Sequence, residues 1–390
     1  MKPFIFLNSH PIQYFTPLYK LIYSEKKIDL NVIYCSDETV NGSIDKEFGV
    51  TVKWDTPLLD GYPYVFLKNH SFKPSIFNGF WGLLNWGVFK KLFNEPPSLI
   101  IVHGWGYATH LIALIFARMF NHTVCLRAET PLHQEFLKNK YVISIKHFLL
   151  KKLFTRIDYF LYIGSENKKF YNYLGVNENQ LLFTPYCVDN KFFSTLAKSS
   201  NKDKLKHKIG IPIDFKVILY AGKYIDKKRP LDLINAFAAL NDPSAFLIMV
   251  GDGKLREAME ELILTYQIKD RVILTGFINQ SIIYEYYAIA DVFVMCSGLG
   301  ETWGLSANEA MNFGVPLVLS STTGSSSDLV IEGVNGFTFP TGNIHQLTAV
   351  LNKTLQFNIV DRARTIETHN QLLNKYSYNT IINSLKTITN

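Results

Sequence analysis

Glu301 and Glu309 stand eight residues apart in the stretch GLGETWGLSANEAMNFG, Gly298 to Gly314. The stretch follows VFVMCS, an apolar run that reads as a strand, and leads into helix-forming LSANEAMNF, which Gly314 and Pro316 bring to a stop. Backbone amides at the start of such a helix favour phosphate. A carboxylate only accepts hydrogen bonds, and two adjacent hydroxyls on a ribose or hexose offer it two donors. The spacing therefore suits a ligand with phosphates on the helix end and sugar hydroxyls on the two acids. An isolated pair of glutamates reads more simply as a solvated loop residue and an exposed helix residue, so the surrounding segments decide.

A second group of charges points the same way. AGKYIDKKRPLDLINAF places Lys223 directly after Gly222 and Lys228 five positions on. Fixed positive charge stabilises the negative charge that grows on a departing nucleoside diphosphate. Metal-dependent handling of that charge needs a DxD-like acidic cluster, and DGYP and DNKF each offer one carboxylate. The expectation is metal-free chemistry with no cofactor, the nucleotide-diphosphate sugar being a substrate. Cys35, Cys125, Cys187 and Cys296 form no CxxC pair and sit in or beside apolar runs, which suits buried free thiols in a reducing compartment.

Three polar segments after apolar runs mark the first half: NSHPIQYF with His10, HGWGYATH with His103, and RAET with Arg127 and Glu129. His103 ends a strand-like run before two glycines, a position from which a side chain enters a ligand site. A structural histidine is the plainer reading of a lone one. His10, Arg127 and Glu129 are candidates for the acceptor side, with Arg127 and Glu129 binding either acceptor hydroxyls or each other.

The elements that must position these residues form two series. FIFLN (Phe4 to Asn8), LNVIYC (Leu30 to Cys35), LIIVH (Leu99 to His103), TVCLR (Thr123 to Arg127) and YFLYIG (Tyr159 to Gly164) read as buried strands separated by helix-length segments. The Lys-rich AKSSNKDKLKHKIG (Ala197 to Gly210) reads as a domain boundary. The alternation restarts with KVILYAG, AFLIMVGDG, VILTGF, VFVMCS and PLVLSS. Residues 1–195 and residues 196–372 are thus expected to form two Rossmann-like domains. Residues 373–390 are expected to include a C-terminal amphipathic helix, with packing back on the first domain as an option that periodicity does not decide. The chain length of 390 residues and hydrophobic content of 47% allow two packed cores.

GETWGLSANEAMNFGVPLVLS resembles the E-x7-E segment of family-4 retaining glycosyltransferases, which have the GT-B fold. AGKYIDKKRPLDLINAF, MVGDGKLREAME, TPYCVDNKFF and GSSSDLVIEGVNGF resemble further segments of that family in the expected order. The resemblance covers the second half well and the first loosely. It implies an α/β GT-B architecture, two Rossmann-like domains facing one another across a deep cleft, with residues 1–195 binding the acceptor and residues 196–372 the nucleotide sugar. It implies donor contacts from Gly222, Lys223, Lys228, Phe277, Thr302, Trp303, Gly304, Leu305 and Glu309. Glu309 takes the donor ribose and Glu301 the transferred sugar, Lys223 and Lys228 hold the diphosphate, and His103 orients the sugar. Transfer with retention proceeds by front-face attack, the leaving phosphate helping to take the acceptor proton. Departures are Lys223 where arginine is usual, Arg229 where glycine is common after the second basic residue, Trp303 where phenylalanine is more frequent, and NSHP in place of a glycine-rich loop.

The implied activity is hexosyl transfer to a hydroxyl of a glycan or lipid-linked acceptor in cell-surface polysaccharide synthesis. Alternatives are a nucleotide-sugar epimerase of the same architecture and a non-catalytic transferase partner. A net charge of +7 suits phosphate-bearing ligands or an anionic membrane, and the scattered lysines lack any nucleic-acid-reading motif. MKPFIFLNSHP is too short in apolar residues for a signal peptide, so the expected location is cytoplasmic. Peripheral contact with the inner face of a membrane is a secondary expectation. FNGFWGLLNWGVFKKLF and YVISIKHFLLKKLF are its candidate segments, although helices with one packed face and one lysine-bearing face explain them as simply.

Overall fold

The computed structural model describes residues 2–25, 28–40, 42–45, 50–52 and 55–388. The chain divides into two compact units: Met1–Ser43, Thr56–Tyr186 and Tyr378–Asn390 form unit 1, and Ile44–Asp55 with Cys187–Ser377 form unit 2.

The strands in chain order are β1 (Phe4–Asn8), β2 (Leu30–Tyr34), β3 (Ser43–Asp45), β4 (Val50–Val52), β5 (Tyr64–Phe66), β6 (Leu99–His103), β7 (Thr123–Arg127), β8 (Tyr159–Tyr162) and β9 (Leu181–Phe183). The series continues with β10 (Lys216–Ala221), β11 (Ala245–Val250), β12 (Val272–Leu274), β13 (Val292–Met295), β14 (Leu317–Ser320) and β15 (Gly336–Phe339). Unit 1 is built on a parallel sheet of order β5-β2-β1-β6-β7-β8-β9, and unit 2 on a parallel sheet of order β12-β11-β10-β13-β14-β15. β3 and β4 pair separately. Parallel strands need crossover helices on both faces, which is why the strands read as continuous apolar runs.

Strand alternation sorts unit 1 into two faces. Ile5, Leu7, Ile100, Val102, Val124 and Leu126 point to one aliphatic core. Helices Gly87–Asn94, Ala108–Phe116, Lys140–Phe154 and Ser165–Tyr173 cover it with Val88, Leu92, Leu114, Leu150, Phe154 and Phe170. The alternate residues Phe4, Phe6 and Asn8 of β1, and their equivalents on β6 and β7, point to the opposite face. Helices Thr16–Ser24 and Tyr378–Lys386 each bury an apolar side within unit 1 and contact one another. The terminal helix is tied down at both ends: the Tyr378 hydroxyl donates to the Tyr14 carbonyl at 2.8 Å, and Lys386 pairs with Glu25 at 2.7 Å.

The Lys-rich segment is helical and does not mark the boundary between the units. Asn190–Ser199 and Lys202–Ile209 are helices, and the units divide between Tyr186 and Cys187, upstream of the expected 195. Local signals outweigh the polar composition. The Asn201 side chain accepts from the Lys204 amide at 3.0 Å, and Gly210 closes the helix in the left-handed conformation (φ 85°). Lys206 buries its stem and donates to the Ile213 and Phe215 carbonyls, and Lys202 pairs with Asp291 at 2.8 Å.

The Tyr378→Phe variant removes one hydrogen bond that closes the terminal helix onto unit 1. Denaturant unfolding is expected to show a loss of about 1 kcal/mol. An unchanged midpoint would mean that the helix is held by its apolar face alone.

Candidate functional site

In each sheet the strand order reverses once, and the carboxyl ends of the two strands at the reversal are the natural ligand position. In unit 2 the reversal lies between β10 and β13. Loop 222–229 leaves β10 there and loop 296–304 leaves β13. The two are stitched together: the Gly298 amide donates to the Lys227 carbonyl at 2.7 Å, and the Lys227 ammonium to the Gly300 carbonyl at 3.3 Å.

Lys228 and Glu301 form an ion pair across these loops. Ser297 Oγ donates to the same Glu301 oxygen at 3.2 Å. Glu301 is 8% exposed. Burial alone would raise its pKa, but Lys228, with help from Lys227 and Ser297, outweighs burial and holds the carboxyl below the usual range. Glu309 is also buried and oriented by two donors, the Tyr287 hydroxyl at 2.7 Å and the Gln280 amide at 3.2 Å, one on each oxygen. Neither acid points into bulk water.

Glycines permit the close approach of these loops. A methyl at Gly251, whose φ is +140°, would lie 2.0 Å from the Gly222 carbonyl oxygen. A methyl at Gly324 would lie 1.9 Å from the Thr302 oxygen, and the Gly324 amide donates to the Glu301 carbonyl at 3.0 Å. The glycine-rich stretch after β14 therefore fixes the backbone of Glu301 and Thr302.

The other residues expected to meet the donor differ in position and exposure. Gly222, Lys223 and Phe277 stand just past the carboxyl ends of β10 and β12, all half-buried. Thr302 and Leu305 are half-buried beside Glu301, and Gly304 (φ 96°) starts the helix Leu305–Met311. Trp303 is turned inward instead: its indole NH donates to Asn308 at 2.9 Å and its ring packs 5.5 Å from that of Tyr376. The larger ring at this position serves the interior of unit 2. Arg229 has φ 50° and ψ 48°, the left-handed region that favours glycine, and its guanidinium bonds Asp232 at 2.5 Å.

In unit 1 the reversal lies between β1 and β6. His103 ends β6 and Arg127 ends β7, paired in register. The Phe15 ring meets the His103 ring edge-on at 4.6 Å, and the Arg127 guanidinium lies 5.0 Å from the Phe15 centroid and 4.5 Å from that of Tyr186. Arg127 reaches Glu129 at 3.4 Å. Burial first, then Arg127 and His110, lower the pKa of His103 well below the usual histidine value, so its ring is neutral at pH 7. His10 has its Nδ1 2.9 Å from Ser9 Oγ, and burial lowers its pKa to about 4 against the opposing pull of Glu38. Among the described residues no group of three or more His, Cys, Asp or Glu side chains is placed to hold a metal ion.

Comparison with known proteins bears on unit 2 most directly. Residues 201–371 match the family model of glycosyl transferases group 1. The lipopolysaccharide 1,2-N-acetylglucosaminetransferase of Salmonella typhimurium is 30% identical over 38% of this chain and 42% of its own length. The alpha-monoglucosyldiacylglycerol synthase of Acholeplasma laidlawii is 29% identical over 66% of this chain and 60% of its own length. The chain thus spans less than two thirds of the length of these curated relatives. HepE of Anabaena, solved with UDP and glucose, superimposes over 99% of both chains with a TM-score of 0.72 at 17% identity, a likeness of fold. The two-unit α/β architecture is that of the GT-B glycosyltransferases.

Ser297, Lys227, Gln280 and Tyr287 are site residues that sequence reasoning did not single out. Gln280 and Tyr287 share one face of the helix Gln280–Ile289, seven residues apart, a spacing that brings two side chains to one target but does not name it.

Removing the ammonium in a Lys228→Met variant should let burial dominate at Glu301. Carbon-13 NMR is expected to find its carboxyl titrating below the usual range in the wild type and above it in the variant. The wild-type stabilisation from this pairing is present above the unfolded-state pKa and lost as pH falls through the lower folded value. Equal titration in both proteins would show that the pair does not govern the carboxyl.

Proposed function

We propose that this chain is a family-4 retaining glycosyltransferase that moves a hexose from a nucleotide-diphosphate sugar to a hydroxyl of a glycan or lipid-linked acceptor in cell-surface polysaccharide or glycolipid synthesis. The observation that carries the reading is the pairing of half-buried Lys228 with buried Glu301 at the strand reversal of unit 2, with buried Glu309 eight residues further on. Lys223 and Lys228 hold the diphosphate and meet the charge that develops on it, so the transfer is read as metal-independent. Glu309, aimed by Tyr287 and Gln280, accepts from the ribose hydroxyls. Glu301 accepts from the transferred sugar once the diphosphate shares Lys228. The acceptor hydroxyl attacks from the face that the diphosphate leaves, and the departing phosphate oxygen takes its proton. Preformed hydrogen-bonding groups contribute most because they need no reorganisation during the reaction.

Lipid-linked acceptors favour a protein that rests on a membrane, and the helix Lys140–Phe154 has the surface for it. Tyr141, Val142, Ile145, Phe148 and Leu149 form an outward apolar stripe at helical spacing, Tyr141 being 83% and Phe148 58% exposed. Exposed Lys140, Lys151 and Lys152 flank the stripe, and residues 136–154 contain no acid. Among the described residues no helix is long and apolar enough to cross a membrane.

UDP and UDP-glucose are expected to raise the melting temperature by mass action. With a competent donor and acceptor, Glu309→Ala and Lys228→Ala are each expected to lower turnover roughly tenfold or more. Near-wild-type rates in both would overturn the assignment, and conversion of a nucleotide sugar without acceptor would indicate an epimerase. The protein is also expected to sediment with anionic liposomes at low salt, and an Ile145→Ser, Phe148→Ser double variant to stay in the supernatant. A wild-type protein that remains soluble beside such liposomes would remove the membrane part of the reading.

A further inference from the structure

Unit 1 contains a row of hydrogen-bond donors that lacks an acceptor. β1, β6 and β7 are adjacent, and Leu7 pairs with Val102 and Val102 with Leu126. The next residues, Asn8, His103 and Arg127, therefore stand side by side as the last residues of their strands. They share the sheet face opposite the aliphatic core. Asn8 and Arg127 are 2% and 5% exposed. Asn8 Nδ2, His103 Nε2 and Arg127 Nη2 are buried with no hydrogen-bond partner. Three such nitrogens in one row are unusual, because interiors rarely leave polar groups unpaired.

The surroundings hold each group in place. Asn8 Oδ1 accepts from the Tyr19 hydroxyl at 3.0 Å, so the amide nitrogen is turned to the other side. The Phe15 and Tyr186 rings, stacked 6.1 Å apart at 24°, both lie against the Arg127 guanidinium and fix its plane. Arg127 Nη1 reaches Glu129, which leaves the Nη2 side unused. Glu129 is the one carboxylate paired with Arg127 among the described residues, and it is one-third exposed at the edge of the row. The neutral imidazole of His103 adds no charge and supplies a donor in its Nε2–H tautomer. The row thus offers donors and one incompletely balanced positive charge, at the strand reversal where parallel sheets bind ligands.

The geometry points to a binding site for an oxyanion carried on a sugar, a carboxylate or a phosphate, held by Asn8 Nδ2, His103 Nε2 and Arg127 Nη2. It rests on the transferase reading in one respect, that the anion belongs to the acceptor. The acceptor would then be an acidic glycan or a sugar phosphate, which an otherwise neutral hydroxyl-binding site would not distinguish from a plain sugar.

The full chain is titrated by calorimetry with glucuronic acid, glucose 6-phosphate and glucose. One of the two anions is expected to bind about tenfold or more tightly than glucose, as a charge-assisted hydrogen bond allows. Preference for glucuronic acid identifies a carboxylate, and preference for glucose 6-phosphate a phosphate. Asn8→Asp keeps the shape and the Tyr19 hydrogen bond but sets a carboxylate in the row, and it is expected to erase the preference. Arg127→Lys, which retains charge but lacks the fork, is the second variant should the first fail to fold, with a loss of about tenfold expected. The UDP-induced melting shift serves as the control for unit 2. Equal binding of all three probes, binding of neither anion while UDP still shifts the melting temperature, or a preference that survives in a folded variant would each overturn the inference. Loss of the UDP response with the anion preference intact would count against the transferase reading and leave the oxyanion site standing.

Discussion

Unit 2 depends on one constraint: a carboxylate buried at the ends of two strands must be neutralised there. Glu301 meets it through Lys228 and Ser297. Removing one partner of a buried pair costs far more than exchanging both, because the remaining charge is stranded. The consequence is architectural as well as chemical. Loop 222–229 cannot drift from loop 296–304 without exposing that charge, and the Gly298–Lys227 and Gly324–Glu301 backbone bonds hold the same register. The wall that would receive a diphosphate is set before a ligand arrives.

Both sheets treat their carboxyl edges alike. Apolar strands buried on both faces run until the last position or just beyond it, and then polar side chains begin: Asn8, His103 and Arg127 in unit 1, Lys223, Ser297 and Glu301 in unit 2. The aliphatic cores provide rigidity, and the strand ends provide chemistry without placing charge inside the cores. His103 and Glu301 illustrate opposite outcomes of burial. The imidazole is kept neutral because its neighbour Arg127 adds to desolvation, whereas the carboxylate stays charged because Lys228 overcomes it.

The ten strands read from apolar runs are all present, with ends shifted by three residues or fewer. The strands that the runs did not announce include β5, β9 and β15, which lie at sheet edges. β5 and β9 are three residues long and incompletely buried, and β15 opens on Gly336, so none presents a continuous apolar signal. At the candidate site, the acids and lysines were legible because charge in a glycine-punctuated loop has few structural uses. Ser297, Gln280 and Tyr287 were not, since each acquires its role only through a contact made by tertiary folding. Arg229 shows the limit of residue type alone: the backbone keeps the left-handed geometry that suits glycine although the side chain has changed.

The helix Tyr378–Lys386 belongs to unit 1 although all of unit 2 precedes it in the chain. Translation delivers residues in order, and domains commonly fold as they emerge. The ribosome therefore releases a unit 2 whose sheet is complete while the face formed by Thr16–Ser24 still waits for its last partner. Closure of the first-made unit therefore comes only after the second has been made, so that a chain interrupted between Ser377 and Lys386 holds a finished second unit and an unsealed first.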